Sequence, residues 1–298
     1  MSSMHAATPQ PTPLLAIVGP TAVGKTALSI ALAQTVGGEI VSADSRQVYR
    51  YMDIGTAKPT AEERAAAPHH LIDVVDPDEE FSLAIYQDMA YAALAEVAAR
   101  GRLPLLVGGT GQYLAAVLEG WQIPRVAPQP ELRAALEREA AEHGAAALHA
   151  RLARVDPEAA TSILPTNLRR IIRALEVFQV TGEPISAQQV KRTPPYRARA
   201  LWLALPAGEL YRRIDARVDA MVAAGLSEEV RGLLARGYGW ELPAMSGLGY
   251  RELQPYFAGL STLAEAIERL KYDTHAFARR QKAWFARLTH PASTADRA

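Results

Sequence analysis

The chain has 298 residues, no cysteine, and 32 Lys plus Arg against 32 Asp plus Glu, so it carries no formal net charge. An apolar content of 49% can fill a substantial core, which excludes disorder, a collagen helix or a coiled coil for the bulk of the chain. The lack of thiols excludes disulfides, zinc–thiolate sites, iron–sulfur clusters and thiol catalysis, and any polyanionic partner must be held by segregated charge.

The first 13 residues, MSSMHAATPQPTP, have neither the charged nor the apolar part of a signal peptide and read as a flexible arm. No run approaches the roughly 18 apolar residues of a membrane span, so a cytoplasmic protein without membrane contact is expected. Apolar runs then recur at 14–19 (LLAIVG), 39–44 (EIVSAD), 70–75 (HLIDVV), 103–109 (LPLLVGG) and 200–205 (ALWLAL). The first four are separated by helical composition, the alternation of an α/β fold with a mostly parallel sheet flanked by helices. Before the fifth run lies a long stretch without a strand-like run, rich in Ala, Leu, Glu and Arg at 131–154 and punctuated by Pro124, Pro128, Pro130, Pro194 and Pro195. It predicts a helical insertion at 124–195 within a core made of 14–123 and 196–288. After the fifth run, Leu210, Ile214, Val218 and Met221 or Val222 form one helical stripe, Gly225 caps it, and 289–298 reads as a tail.

GPTAVGKT at 19–26 matches Gly-x-x-x-x-Gly-Lys-[Ser/Thr] directly after a strand-like run and before a helix-like one. Gly19 and Gly24 let the loop Gly19-Pro20-Thr21-Ala22-Val23-Gly24 curl its N–H groups toward phosphate oxygens. Lys25 supplies a charge, and Thr26 is the candidate ligand for Mg²⁺. The core is therefore expected to be P-loop NTPase-like. Hydrolases of this class need an Asp ending a second strand, yet the fourth run ends in Gly108-Gly109-Thr110. The Asp at a strand end is Asp44, and ligands of open parallel sheets gather at the carboxyl ends of strands. Adjacent residues on a strand face opposite ways, so His69 and His70 do not make a metal pair.

Together, GPTAVGKT, DSRQVYRYMDIGTAKP (44–59), HHLID (69–73), LLVGGTGQYL (105–114), RALEVFQVTGEP (173–184), LGYRE (248–252) and RRQKAWF (279–285) resemble the bacterial tRNA dimethylallyltransferase family, in the family's order and over residues 14–287. The resemblance implies transfer of a dimethylallyl group from dimethylallyl diphosphate to the N6 amine of adenosine 37 in the tRNA anticodon loop. The donor diphosphate would occupy the phosphate loop, which accounts for the missing hydrolytic apparatus. Basic zones agree with an RNA partner: 165–202 holds seven Lys or Arg against two Glu, and 269–287 six against Asp273 alone.

By the same resemblance, Asp44 is the base that takes the amine proton, Thr110 lies beside the transferred group, and Arg217 contacts the diphosphate, with Arg213 one turn earlier as the alternative. The implied tRNA contacts are Ser45, Arg46, Gln47 and Thr110, then Arg133, Arg169, Arg170 and Arg173 in the insertion, then Gly249, Tyr250, Arg251, Arg279, Arg280 and Gln281. The family commonly reads Lys-Arg-Gln-x-Thr-Trp-Phe-Arg in its last motif. Here Ala283 and Ala286 replace the Thr and the final Arg, and Arg287 is displaced by about 100° of helix rotation. Trp284 reads as core. A small-molecule kinase, an adenylate isopentenyltransferase and a noncatalytic RNA binder remain alternatives. The kinase leaves DSRQVY and GGTGQY unexplained, and the adenylate enzyme needs no long basic insertion. A monomer is the default expectation.

Overall fold

The computed structural model describes residues 12–289, with side chains as far as residue 286. The arm at 1–11, the tail from 290 and the Arg287 side chain lie outside the described residues. Thr12 and Pro13, expected in the arm, already belong to the first strand. The chain divides into two compact units, Glu119–Thr193 and the remainder on either side of it, so the insertion begins a few residues before the expected 124. Among the described residues no helix is long and apolar enough to cross a membrane.

The larger unit contains β1 (Thr12–Val18), α1 (Lys25–Val36), β2 (Gly38–Ala43), α2 (Ala61–Ala66), β3 (His69–His70), α3 (Leu83–Ala99), β4 (Leu103–Gly108) and α4 (Gly111–Leu118). The inserted unit is helical: α5 (Pro130–His143), α6 (Ala145–Val155), α7 (Pro157–Ser162), α8 (Leu168–Thr181) and α9 (Ile185–Gln188). The larger unit then resumes with β5 (Tyr196–Trp202), α10 (Ala207–Ala223), α11 (Leu226–Ala235), two short turns of 3₁₀ helix, α12 (Gln254–Phe257) and α13 (Leu263–Thr289).

The five strands form one sheet in the order β3-β2-β4-β1-β5, every pair parallel. This is the expected P-loop NTPase-like α/β core. Strand alternation explains its two apolar layers. Leu14, Ala16, Val18, Val41, Ala43 and Leu106 face α3, α4 and Phe285 of α13. Ile17, Ile40, Leu105 and Val107 face the other way, against Ala33 of α1. The inserted unit has its own core, including Leu136, Leu148, Leu152, Ile171 and Leu175.

Two strands differ from the sequence reading. The expected strand at 70–75 is only the pair His69–His70, because Leu71 (φ 62) and Asp73 (φ 57) are left-handed and break the extension. Asp73 is held there by Lys58 and Arg64. The fifth strand is 196–202, not 200–205. Its register with β1 runs from Thr12↔Tyr196 to Val18↔Trp202, and Pro206 caps α10 soon after. As an edge strand it needs no continuous apolar run, and Arg197 and Arg199 are exposed on it.

Candidate active site

The phosphate loop joins β1 to α1. Gly24 sits at φ 102 as the cap of α1 and supplies no side-chain hydrogen bond, so the first amides of the helix are left without a capping acceptor. Gly19 is required by proximity: a Cβ there would lie 2.7 Å from the Leu203 carbonyl oxygen. Ala22 is a non-glycine residue at φ 62, strain of the kind that gathers in ligand cradles. Lys25 folds back over the loop, its Nζ donating to the carbonyls of Gly19 at 3.0 Å and Pro20 at 2.8 Å. Burial pushes the Lys25 ammonium down to about 8, against the attraction of Asp44 and with the repulsion of Arg217. Asp44 and Arg217 line one cleft, and a Cβ on Gly109 would lie 3.6 Å from Lys25 Nζ.

The carboxyl ends of β2 and β4 lie side by side, Ala43 opposite Gly108. Asp44 Oδ1 accepts the N–H groups of Arg46 at 2.9 Å and Gln47 at 3.4 Å, an Asx turn that fixes the carboxylate. Its second oxygen accepts no hydrogen bond among the described residues, and Asp44 lines an open cleft. Thr110 Oγ1 accepts the Ser45 N–H at 3.0 Å and lies 3.3 Å from the Ser45 hydroxyl. Gly108 is pressed against the carbonyl of Ala43, so close that a Cβ would overlap it at 2.1 Å.

The cleft is closed on its other sides by α10 and α13. Asp44, Ser45, Thr110, Thr21 and Arg217 all line it, beside apolar Ile214, Met221, Leu248 and Phe277. Arg217 rather than Arg213 faces this space. Arg213 is turned outward in an i,i+4 ion pair with Glu209 at 2.8 Å, whereas burial lowers the Arg217 guanidinium from its usual range, Asp44 opposing.

The residues expected at tRNA have varied surroundings. Arg251 and Arg280 line the cleft, as do Gly249, Ser45 and Arg46. Arg46 also donates to the Pro243 carbonyl at 2.7 Å, bracing the 3₁₀ turn before LGYRE. Gln47 reaches Ser42 and the carbonyls of Thr56 and Ala57, holding the MDIGTAKP turn. Arg279 is exposed and donates to the Tyr211 hydroxyl, and Arg169 and Arg170 are exposed on α8. Three expectations meet competing partners. Tyr250 has no exposed surface and hydrogen-bonds Glu229 at 2.7 Å. In the inserted unit, Arg133 and Arg173 both clasp Glu176, whose side chain is wholly buried. Burial opposes ionisation of Glu176, but hydrogen bonds from Arg133, the Gln129 N–H and Arg173 prevail and hold it at about 2. Gln281 is also buried.

Glu229 of α11 is a residue that the motifs do not announce. Its carboxylate accepts the N–H groups of Asp53 and Ile54 at 2.7 Å each and of Gly55 at 3.0 Å, as well as the Tyr250 hydroxyl. Gly55 must be glycine here, since a Cβ would lie 2.6 Å from the Tyr250 ring. MDIGTAKP and LGYRE are thus two halves of one contact, and Gly55 and Thr56 reach the cleft. The only signal in the sequence is the pair of motifs themselves, since nothing near Glu229 marks its role.

Among the described residues no cluster of three His, Asp or Glu side chains could hold a metal. The donor set suits a cation that keeps waters and phosphate oxygens: the Thr26 hydroxyl stands at the start of α1, and a carboxylate, Asp44, lies across the cleft. His69 and His70 separate as expected, His69 bonding the Ala67 carbonyl and His70 bonding Glu39.

The sequence matches the IPP transferase family over residues 47–288 and the isopentenyl transferase family over 12–72. A protein named tRNA dimethylallyltransferase from Roseiflexus castenholzii is 72% identical over 288 residues, 95% of this chain and 94% of that protein. The solved tRNA isopentenylpyrophosphate transferase of Bacillus halodurans is 45% identical, with a TM-score of 0.66 over 92% of this chain and 86% of its own. A structure of a eukaryotic dimethylallyltransferase acting on tRNA gives a TM-score of 0.81 at 30% identity, covering 94% of this chain and 71% of its own. With a glycine-rich phosphate loop facing a carboxylate across one cleft, and with matches of this extent, the chain belongs to the IPP transferase family, that of the tRNA dimethylallyltransferases.

Proposed function

We propose that this prenyltransferase moves the dimethylallyl group of dimethylallyl diphosphate to the N6 amine of adenosine 37 in the anticodon loop of tRNA and releases diphosphate. The observation that carries this reading is the shared cleft of Asp44, Thr110, Thr21 and Arg217, with apolar Ile214, Met221 and Phe277 beside them. An allylic C–O bond breaks readily when the departing negative charge is stabilised. The loop amides, Lys25 and Arg217 would do that, and the apolar side chains would shield the five-carbon group from water. As the new C–N bond forms, the amine loses a proton, and the free oxygen of Asp44 takes it. The same oxygen, hydrogen-bonded to the amine beforehand, would favour adenine. Thr26 would hold Mg²⁺, which when bound adds positive charge beside the diphosphate.

A base that reaches such a cleft must leave its stack, and Arg251 and Arg280 at the cleft can meet the phosphates beside it. Arg169 and Arg170 would add phosphate contacts from the insertion. We take the chain to act as a monomer in the cytoplasm. The test is transfer of labelled dimethylallyl diphosphate, with Mg²⁺, to an anticodon stem-loop with adenosine at 37, run beside AMP, ADP and ATP. Label in the stem-loop alone, abolished by guanosine at 37, is the expected result. Label in free nucleotide would instead make it an adenylate enzyme.

A further inference from the structure

Gln281 of α13 is 7% exposed and joins two loops that are far apart in sequence. Its Oε1 accepts the Thr21 N–H of the phosphate loop at 2.9 Å, and its Nε2 donates to the Gly109 carbonyl at 2.8 Å. The fit around it is tight. A Cβ at Gly109 would lie 2.5 Å from Nε2, and a Cβ at Gly111 would lie 2.3 Å from the ring of Trp284, three residues further along α13. Two glycines of GGTG are therefore glycine because one face of α13 is pressed onto that turn.

We propose that Gln281 is a positioning residue of the donor site, fixing the phosphate loop against the turn that carries Thr110, and not a contact to tRNA as the family resemblance implies. An amide with its oxygen on one loop and its nitrogen on the other sets their separation, and although Gln281 lines the cleft, both ends of its amide are already engaged within the protein. Thr21 N–H is occupied before a ligand arrives, so the diphosphate meets a loop whose first turn is already oriented. Gly109 passes the constraint to Thr110, the next residue, whose own N–H is held by the Ala43 carbonyl at 3.2 Å. This inference rests on the proposed donor site.

The test separates donor from acceptor. Gln281→Met keeps the length of the side chain and removes both hydrogen bonds. Its affinity for inorganic pyrophosphate with Mg²⁺, measured by calorimetry, is expected to fall about tenfold or more, while its affinity for the anticodon stem-loop stays within about twofold of wild type. Gly109→Ala, which displaces Nε2, should give the same selective loss. Weaker stem-loop binding with pyrophosphate binding unchanged would overturn the proposal, as would two unchanged affinities with only a lower melting temperature. If the wild type transferred no prenyl group to any RNA, the functional reading would fail, and the two affinities would still decide the part of Gln281.

Discussion

Ser45 gives its backbone N–H to Thr110 Oγ1 at 3.0 Å, tying the carboxyl end of β2 to that of β4. The bond fixes the residue after Asp44 to the residue after Gly109, so the strand end that carries Asp44 and the GGTG turn are held by one hydroxyl. Thr110→Val keeps the shape and removes the acceptor, leaving the Ser45 N–H without its partner. A fall in kcat of about tenfold is expected, with Thr110→Ser recovering most of it. Single-turnover kinetics with saturating donor would measure both.

Asp44→Asn retains the Asx turn and removes the carboxylate proposed to accept the amine proton. General-base catalysis is worth roughly 10²–10⁴-fold, so prenyl transfer should drop by about that range while pyrophosphate binding changes little. A variant that kept transfer within about threefold of wild type would show that another group accepts the proton.

Arg217 and Arg213 sit one turn apart on α10, yet only Arg217 faces the cleft. A hydrogen bond from a charged donor is worth about 1.5–3 kcal/mol. Arg217→Gln should therefore weaken pyrophosphate binding by one to two orders of magnitude, and Arg213→Gln should leave it unchanged. Equal effects of the two substitutions would contradict this placement.

Glu229 accepts three successive N–H groups and a buried hydroxyl, and Glu229→Gln turns one of those acceptors into a donor facing donors. The expected cost is about 2–3 kcal/mol, seen as a lower urea midpoint at unchanged slope. Because the loop it holds carries Gly55 and Thr56 into the cleft, KM for the stem-loop should rise as well.

Glu176 links acid stability to the inserted unit. Its carboxyl has an ordinary value of 4.5 in the unfolded chain and about 2 when folded, so the stabilisation is complete above 4.5 and is lost as pH falls toward 2. Glu176→Gln should cost about 2–3 kcal/mol at pH 7. The gap between wild type and variant should narrow below pH 4.5 and close near 2. A gap that stayed constant across that range would mean that the ion pairs to Arg133 and Arg173 contribute nothing.

The parts of the site that end strands were legible. Phosphate loop, Asp44 and Thr110 each come directly after an apolar run, and a parallel sheet gathers the carboxyl ends of its strands along one edge. Residues whose partners come from distant segments were not. Glu229 recruits a loop some 175 positions away, Gln281 reaches back across 260, and neither leaves a local pattern. The resemblance gives Arg133 and Arg173 as tRNA contacts, and nothing in the sequence shows that α5 and α8 also close on the carboxylate of Glu176 between them. HLIDVV read as a strand because its apolar residues suit one, while the left-handed turns at Leu71 and Asp73 depend on Lys58 and Arg64.

The strand order has a consequence for how the site comes into being. β1 precedes its outer neighbour β5 in the chain by the whole of Glu119–Thr193, a unit with a core of its own, as well as by β2, β3 and β4. The inserted helices can condense while the sheet still waits for its last strand, and pairings across such separations are slow to close. Arg217 on α10 and Gln281 on α13 both follow β5 in the chain. The groups that complete the phosphate loop thus reach it only after β5 has been made, and because Leu270, Ala278 and Phe285 of α13 are core residues as well, the helix that carries Gln281 closes the core and the donor loop in one step.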